Sequence, residues 1–311
     1  VAATPGTRFS TALVVLGRGL ALLVAPLTLS PDYSYDTIPV VRSVLDWRFL
    51  AAVVVVGLIG WGLSISRVRR SVVPLGVLWY AISLFPASNM LVATGTIFGE
   101  RLLYLPSVAF CLLMATGLEW VSQRHRPVAV AAVTALVTAF TVQTLRYSSA
   151  WRDEISLFRW AVAAVPRSTK THHKLGEELL RAGQLGEAVR SLYRALAIAP
   201  GNEFAEATMA VAKRHIADRY LQAPEQGEAA SDAPADPDVL YVLGQLSSER
   251  GDLSEAESLW QAALSADPTH AESLADLGLL NLVRSDTASA IEKLEQAVAH
   301  KPSVARAWYT L

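Results

Sequence analysis

Five long apolar segments in the first half of the chain constrain its fold more than any other feature. Each is close to the ~20 residues that a helix needs to cross ~30 Å of hydrocarbon. One such helix can lie inside a large enzyme, but five are difficult to bury in a water-soluble core. The sequence therefore predicts a polytopic membrane domain with about five helices, at 11–29, 49–66, 72–88, 102–121 and 128–145.

Arginines between these segments predict the orientation of the membrane domain. If five helices alternate, Arg8, the 67–70 cluster and the 123–126 segment lie on one side. The positive-inside rule assigns that side to the cytoplasm. The loops at 30–48 and 89–101, which also contain some arginine, and the second half of the chain then lie outside it. The Ala-, Val- and Arg-rich composition favours a bacterial inner membrane over the endoplasmic reticulum.

The second half of the chain repeats with a fixed period. Pro200, Pro268 and Pro302 are spaced by 68 and 34 residues, and 34 residues is the length of a tetratricopeptide repeat (TPR). In each unit small residues allow two helices to approach closely, and the proline ends the second helix. The matched units are 169–202, 237–270 and 271–304.

The repeats and the apolar segments together predict the domain organisation. Residues 203–236 are one further, degenerate repeat, and 305–311 begin another that is truncated. The composition changes near residue 147, so we expect a membrane domain at 1–147 and a TPR domain at 148–311. The expected fold class is all-α, with a transmembrane helical domain followed by a TPR α-solenoid.

Composition and motifs exclude several function classes. The net charge is −1, whereas nucleic-acid binding normally requires a basic face. Cys111 is the one cysteine, so an intramolecular disulfide and a cysteine-built metal site are both excluded. His172 and His173 are adjacent and point in different directions on a helix, so we expect no metal site.

A polar stretch between two apolar segments is the strongest candidate for a functional site. It reads FPASNMLVATGTIFGERLLYLPS, at 85–107, and contains Glu100 and Arg101. Ionisable side chains at membrane depth are costly and usually mark a site. In the loop before the second apolar segment, Asp32 and Asp36 are either solvated or face the same cavity as this pair.

These residues also carry a family resemblance. The chain resembles the transmembrane and tetratricopeptide repeat-containing family and its bacterial relatives. The resemblance lies in the order of membrane segments and repeats, and in the runs SPDYSYDTIP, FPASN and GERLLYLPS. The resemblance implies a GT-C type membrane fold and an O-mannosyltransferase activity that uses a polyprenyl-phosphate-linked sugar. It also implies a catalytic acid in a first extracytoplasmic loop. Because the chain begins at Val1 within the family pattern, we expect a C-terminal fragment without that catalytic residue.

The chemistry and position of residues in the polar stretch indicate roles for them, and the resemblance favours the functional role of Arg101. Arg101 is expected to hold the donor phosphate; its alternative is an ion pair with Glu100, or snorkelling into lipid headgroups. Glu100 is expected to orient Arg101 or to bind acceptor hydroxyls. Tyr104 either hydrogen-bonds the donor or anchors the membrane interface, and Asn89 either contacts substrate or stops a helix.

Two functions remain open on the sequence alone. The first is a glycosyltransferase that moves a sugar, mannose by resemblance, from a polyprenyl-phosphate donor to protein hydroxyls. Its partners are then membrane lipid, the lipid-linked sugar and an acceptor polypeptide on the concave face of the repeats. The alternative is a non-catalytic, membrane-anchored TPR scaffold, which has no need for Glu100 and Arg101. A transporter is less consistent, since only Arg18 is placed near the bilayer midplane.

Overall fold

The protein is helical throughout the part of the chain that the structure describes. The computed structural model describes residues 5–33, 40–65, 68, 71–88, 99–221 and 236–301. These residues form thirteen α-helices and no strand, which confirms the all-α class. The chain divides into two compact units, Val1–Thr171 and His172–Leu311. The domain boundary expected near residue 147 from composition stays a prediction.

The first unit contains the apolar helices. Four helical stretches are long and apolar enough to cross a membrane: Gly6–Val24, Trp47–Ser64, Glu100–Ser122 and Arg126–Arg152. Short 3-10 helices cover Phe85–Ser88, Glu100–Leu103 and Ser149–Arg152. The α-helices are α1 (Pro5–Val24), α2 (Trp47–Ser64), α3 (Val73–Leu84), α4 (Tyr104–Ser122), α5 (Arg126–Ser148) and α6 (Glu154–Ala164).

The third apolar segment forms a shorter helix than the sequence predicts. Helix α3 has 12 residues, which rise about 18 Å and do not span ~30 Å of hydrocarbon. Pro86 has no N–H to continue the α-helical hydrogen-bonding pattern, and the chain passes into a 3-10 helix at Phe85–Ser88. Five apolar helices are therefore present, but only four reach spanning length among the described residues.

Helix α6 is attached to the loop that follows α1. The indole Nε1 of Trp160 donates a hydrogen bond to the carbonyl oxygen of Leu29, at 2.9 Å. The buried core of this region is formed by side chains that are distant in sequence, namely Val15, Leu22, Tyr33, Leu84, Leu103 and Val165. This core fixes the loop and the polar stretch relative to α1 and α6.

The second unit has the helix pairs that the 34-residue period predicts. Its first helix, α7, begins just before the unit boundary. The degenerate repeat contributes one described helix, and the residues that follow that helix, like the truncated repeat at 305–311, lie outside the described residues. The helices are α7 (Thr169–Arg181), α8 (Leu185–Ile198), α9 (Glu203–Tyr220), α10 (Pro237–Glu249), α11 (Leu253–Ala266), α12 (Ala271–Val283) and α13 (Thr287–His300).

Each matched repeat pairs its two helices through a glycine. The glycine of the first helix lies against a large side chain sixteen residues later, on the second helix. A Cβ atom at the glycine would approach that side chain more closely than real Cβ atoms do, so only glycine allows this helix spacing. The pairs are Gly176–Leu192, Gly244–Trp260 and Gly278–Leu294, with closest approaches of 2.7, 2.4 and 2.8 Å.

Candidate functional site

Glu100 is anchored to the loop that follows α1. It opens the 3-10 helix that leads into α4, after Gly99 in extended conformation. The backbone N–H of Ser30 donates a hydrogen bond to Oε1 of Glu100 at 2.5 Å, and the hydroxyl of Tyr33 lies 2.9 Å from the same oxygen. The carboxyl group thus accepts from the loop and not from the neighbouring Arg101.

Tyr33 is a buried hydrogen-bonding partner of this carboxyl group. Its side chain is 1% exposed, and its hydroxyl also lies 2.7 Å from the carbonyl oxygen of Thr28. Burial raises the pKa of the Tyr33 phenol well above its usual range, and the adjacent Glu100 carboxylate raises it further. Tyr33 therefore remains protonated and available as a donor at physiological pH.

Arg101 lines a cavity and is not paired with Glu100. Its side chain is exposed, and among the described residues it makes no ion pair and no side-chain hydrogen bond. The cavity has a volume of about 480 Å³ and is also lined by Glu100, Tyr104, Tyr147 and Trp151. A guanidinium group in this position can bind an anion without first breaking an ion pair within the described structure.

A second, largely apolar cavity lies beside the first. Its volume is about 540 Å³, and it runs between side chains of α1, α4 and α5. The two cavities share four lining residues: Leu23, Ser107, Tyr147 and Trp151. Apolar surface dominates both cavities; the charged side chains Glu100 and Arg101 line only the first, and Phe110 and Phe140 line the second.

The structure places the remaining candidate residues differently. Tyr104 lines the first cavity and is 80% exposed. Asp32 is buried, and its Oδ2 accepts from the Lys170 ammonium group at 2.6 Å, while the neighbouring Pro31 lines the cavity. Asn89 and Asp36 lie outside the described residues. Glu100, Arg101 and Tyr104 therefore line one cavity, whereas Asp32 pairs with Lys170.

Sequence reasoning missed the aromatic residues that complete this site. Tyr147 is at the end of α5, and its ring lies 6.0 Å from that of Trp151 and 5.9 Å from that of Trp160. Tyr147 and Trp151 line the first cavity together with Glu100. The cluster of aromatic residues between 147 and 160 was the available signal, but it resembles an ordinary membrane-interface belt.

Metal binding has no support in the part of the chain that the structure describes. No group of three or more His, Cys, Asp or Glu side chains is placed there to hold an ion. His173 contacts the hydroxyl of Thr208 through Nε2, at 2.9 Å.

Polar side chains connect the repeats of the second unit. Arg190 of α8 binds Asp238 of α10 at 2.6 Å, and Nε2 of His270 lies 3.5 Å from the other oxygen of the same carboxyl group. Tyr193 donates to Gln245 of α10, at 2.9 Å. Helix α8 therefore contacts α10 directly, across the degenerate repeat.

The fold and the site define a class: an all-helical membrane protein with TPRs and a cavity beside its membrane helices. A family model described as Protein O-mannosyl-transferase TMTC, DUF1736, matches residues 1–60. This match, like the relatives described below, shows that the chain is similar to the TMTC family.

Two human relatives illustrate the similarity. Protein O-mannosyl-transferase TMTC4 of Homo sapiens is 33% identical over 176 residues, which cover 54% of this chain and 24% of the relative. Protein O-mannosyl-transferase TMTC3 of Homo sapiens is 25% identical over 333 residues, which cover 100% of this chain and 36% of the relative. The chain thus spans about a quarter to a third of the length of these curated relatives.

Among solved structures, the chain is similar to YrrB, described as a TPR protein with an unusual peptide-binding site. The match has 16% sequence identity and a TM-score of 0.27, and it covers 62% of this chain and 96% of that chain.

Proposed function

We propose that this chain serves a membrane glycosyltransferase that moves a sugar, mannose by analogy with its relatives, from a polyprenyl-phosphate donor to protein hydroxyl groups. The names of the relatives support the reaction class. The paired cavities support the class of donor. In this proposal the lipid-linked sugar is the donor substrate.

One observation carries the proposal: Arg101, without an ion pair among the described residues, lines the first of two adjoining, mainly apolar cavities, and no charged side chain lines the second. A polyprenyl-phosphate sugar has the same distribution of chemistry, with an anionic headgroup on an apolar chain. Guanidinium groups match phosphate oxygens in a bidentate geometry. Burial of the isoprenoid chain in the apolar cavity contributes affinity in proportion to the area removed from water.

The proposed chemistry is a substitution at the anomeric carbon. A Ser or Thr hydroxyl oxygen of the acceptor forms the new bond to that carbon, and the bond to the phosphate oxygen breaks with its electron pair. A general base outside the described residues receives the hydroxyl proton. Arg101 then stabilises the negative charge that accumulates on the departing polyprenyl phosphate.

The repeats are proposed to bind the acceptor or a partner polypeptide on their concave face. Stacked helix pairs form extended surfaces of this kind. This role places the TPR unit on the extracytoplasmic side, where the arginine distribution of the sequence also places it. A bacterial inner membrane is the proposed location.

Donor binding is tested directly on the chain in lipid nanodiscs. Native mass spectrometry measures the affinity for polyprenyl phosphate and for the uncharged polyprenol, in wild type and in Arg101→Gln. We expect wild type to prefer the phosphate, and the variant to lose at least about tenfold in affinity, because hydrogen bonds to charged groups contribute ~1.5–3 kcal/mol. Arg42→Gln is the matched control, since Arg42 is an exposed arginine that does not line either cavity.

Transfer is measured with the protein in membranes, using labelled polyprenyl-phosphate mannose and Ser/Thr-rich acceptors. Transfer that falls in Arg101→Gln and persists in Arg42→Gln supports the proposal. Equal binding of polyprenol and polyprenyl phosphate, with no transfer from any donor, would leave the membrane-anchored scaffold as the better description.

A further inference from the structure

Of the two oxygens of the Glu100 carboxyl group, Oε1 makes both contacts with the loop after α1. Oε1 accepts from the N–H of Ser30 and lies within hydrogen-bond distance of the Tyr33 hydroxyl. Among the described residues no hydrogen bond of standard geometry reaches Oε2, and Oε2 is not one of the solvent-inaccessible polar atoms. Since Glu100 lines the first cavity, this oxygen is accessible to a ligand there.

The position of that oxygen is well defined. Tyr33 is buried and holds the carboxyl group from one side. Tyr147, held against Trp151 and Trp160, places its buried hydroxyl beside the Glu100 carboxyl group. A side chain that is already ordered loses little conformational entropy when a ligand binds.

The chemistry of an ionised carboxylate limits what it can bind. It only accepts hydrogen bonds, so it attracts hydroxyl groups and repels the oxygens of a phosphate anion. Arg101, the next residue, has the opposite preference and lines the same cavity. A sugar phosphate offers both partners at a short distance, because its hydroxyl groups lie beside its phosphate.

We infer that Glu100 is a specificity-determining residue, which accepts a hydrogen bond from a hydroxyl of the donor sugar through Oε2 while Arg101 holds the phosphate. The inference rests on the proposed function and deepens it. Its consequence is a preference for the glycosylated lipid over bare polyprenyl phosphate. The site would then favour the substrate over the spent carrier that is left after transfer.

The test compares the affinities of the chain in nanodiscs for polyprenyl-phosphate mannose and for polyprenyl phosphate, without any acceptor protein. In wild type we expect the glycosylated lipid to bind about tenfold more tightly, which corresponds to ~1.4 kcal/mol. In Glu100→Gln we expect the ratio of the two affinities to fall to near one. Glutamine retains a carbonyl oxygen for Ser30 and Tyr33, so the loop contacts are kept. Glu119→Gln is the control, because Glu119 is an exposed carboxylate of α4 that lines neither cavity.

Each outcome separates this inference from the proposed function. Suppose that Arg101→Gln weakens the binding of both lipids, while Glu100→Gln keeps the wild-type ratio of the two affinities. Glu100 then does not contact the sugar, and the proposed donor site is still supported. A wild-type ratio of one, or equal weakening of both lipids by Glu100→Gln, also overturns the inference. If wild type binds neither phosphate lipid more tightly than polyprenol, the proposed function itself fails.

Discussion

The hydroxyl of Tyr33 lies 2.9 Å from Oε1 of Glu100, although the two residues are 67 positions apart in the sequence. This contact, with the one from the N–H of Ser30 to the same oxygen, attaches the loop after α1 to the polar stretch before α4. The geometry of the candidate site therefore depends on Glu100 as a structural residue as well as on its chemistry.

Removal of this acceptor is expected to destabilise the first unit. Glu100→Ala removes the charged acceptor of the Ser30 N–H, which keeps only the Tyr33 hydroxyl at 3.1 Å. Hydrogen bonds to charged groups contribute about 1.5–3 kcal/mol. Glu100→Gln should cost less because it keeps an acceptor oxygen. Thermal unfolding of the detergent-solubilised chain measures both. Glu119→Ala, at an exposed position of α4, should change the midpoint little, and an equal loss in that control would contradict the argument.

The contact between Gly244 and Trp260 is expected to tolerate no added methyl group. A Cβ atom at position 244 would lie 2.4 Å from Nε1 of the indole, so Gly244→Ala must push α10 and α11 apart. Overpacking of this kind typically costs ~1–3 kcal/mol. Protease resistance of the repeat unit should fall accordingly. The double variant Gly244→Ala with Trp260→Ala should show less than the sum of the two single losses, and simple additivity would refute the steric explanation.

A serine occupies a turn where the other two matched repeats use glycine. Gly183 and Gly251 follow their helices with φ of +73° and +91°, and Ser285 adopts the equivalent conformation with φ of +66°. A left-handed conformation costs a non-glycine residue about 1 kcal/mol or more. Ser285→Gly should therefore stabilise the last repeat by up to about 1 kcal/mol, measured by hydrogen exchange in α12 and α13.

The reciprocal change serves as the control for that position. Gly251→Ser introduces the same strain in the preceding repeat and should destabilise it by a similar amount. Slower exchange in Gly251→Ser, or faster exchange in Ser285→Gly, would show that the turn conformation does not limit stability.

Asp238 is expected to make the repeat unit sensitive to acid. Burial raises the pKa of this carboxyl group, but the hydrogen bond with His270 and the charge of Arg190 outweigh burial, and the net pKa lies below its usual value. A lowered folded-state pKa contributes stability above the unfolded value of about 4, and that stability is lost as the pH falls through the lowered pKa.

Hydrogen exchange of α10 and α12, corrected for the intrinsic effect of pH, should therefore accelerate as the pH falls below about 4. Asp238→Asn should be less stable than wild type at neutral pH and should show a flatter pH dependence. Asp252→Asn, which alters an exposed helix cap, is the control. If exchange in Asp238→Asn accelerated below about pH 4 as much as in wild type, Asp238 would not be the source of the acid sensitivity.

The 34-residue period of the sequence predicted the helix pairs of the second unit. Each matched repeat has a glycine in its first helix, a large residue sixteen positions later and a proline at its end. The structure places the glycine and the large residue of each repeat face to face in a helix pair. Apolar length likewise predicted the membrane helices. The exception is α3, where Pro86 shortens a segment that hydropathy alone presents as continuous.

The sequence by itself determined the local structure, because helix period, apolar length and turn residues act over a few residues. It also marked Glu100 and Arg101 as a costly pair at membrane depth. Only the tertiary structure decided how that pair is used: Glu100 binds the loop of Tyr33, Arg101 lines the cavity, and Asp32 pairs with Lys170. These contacts join residues far apart in the chain, and no local pattern encodes them, because they depend on how the helices pack.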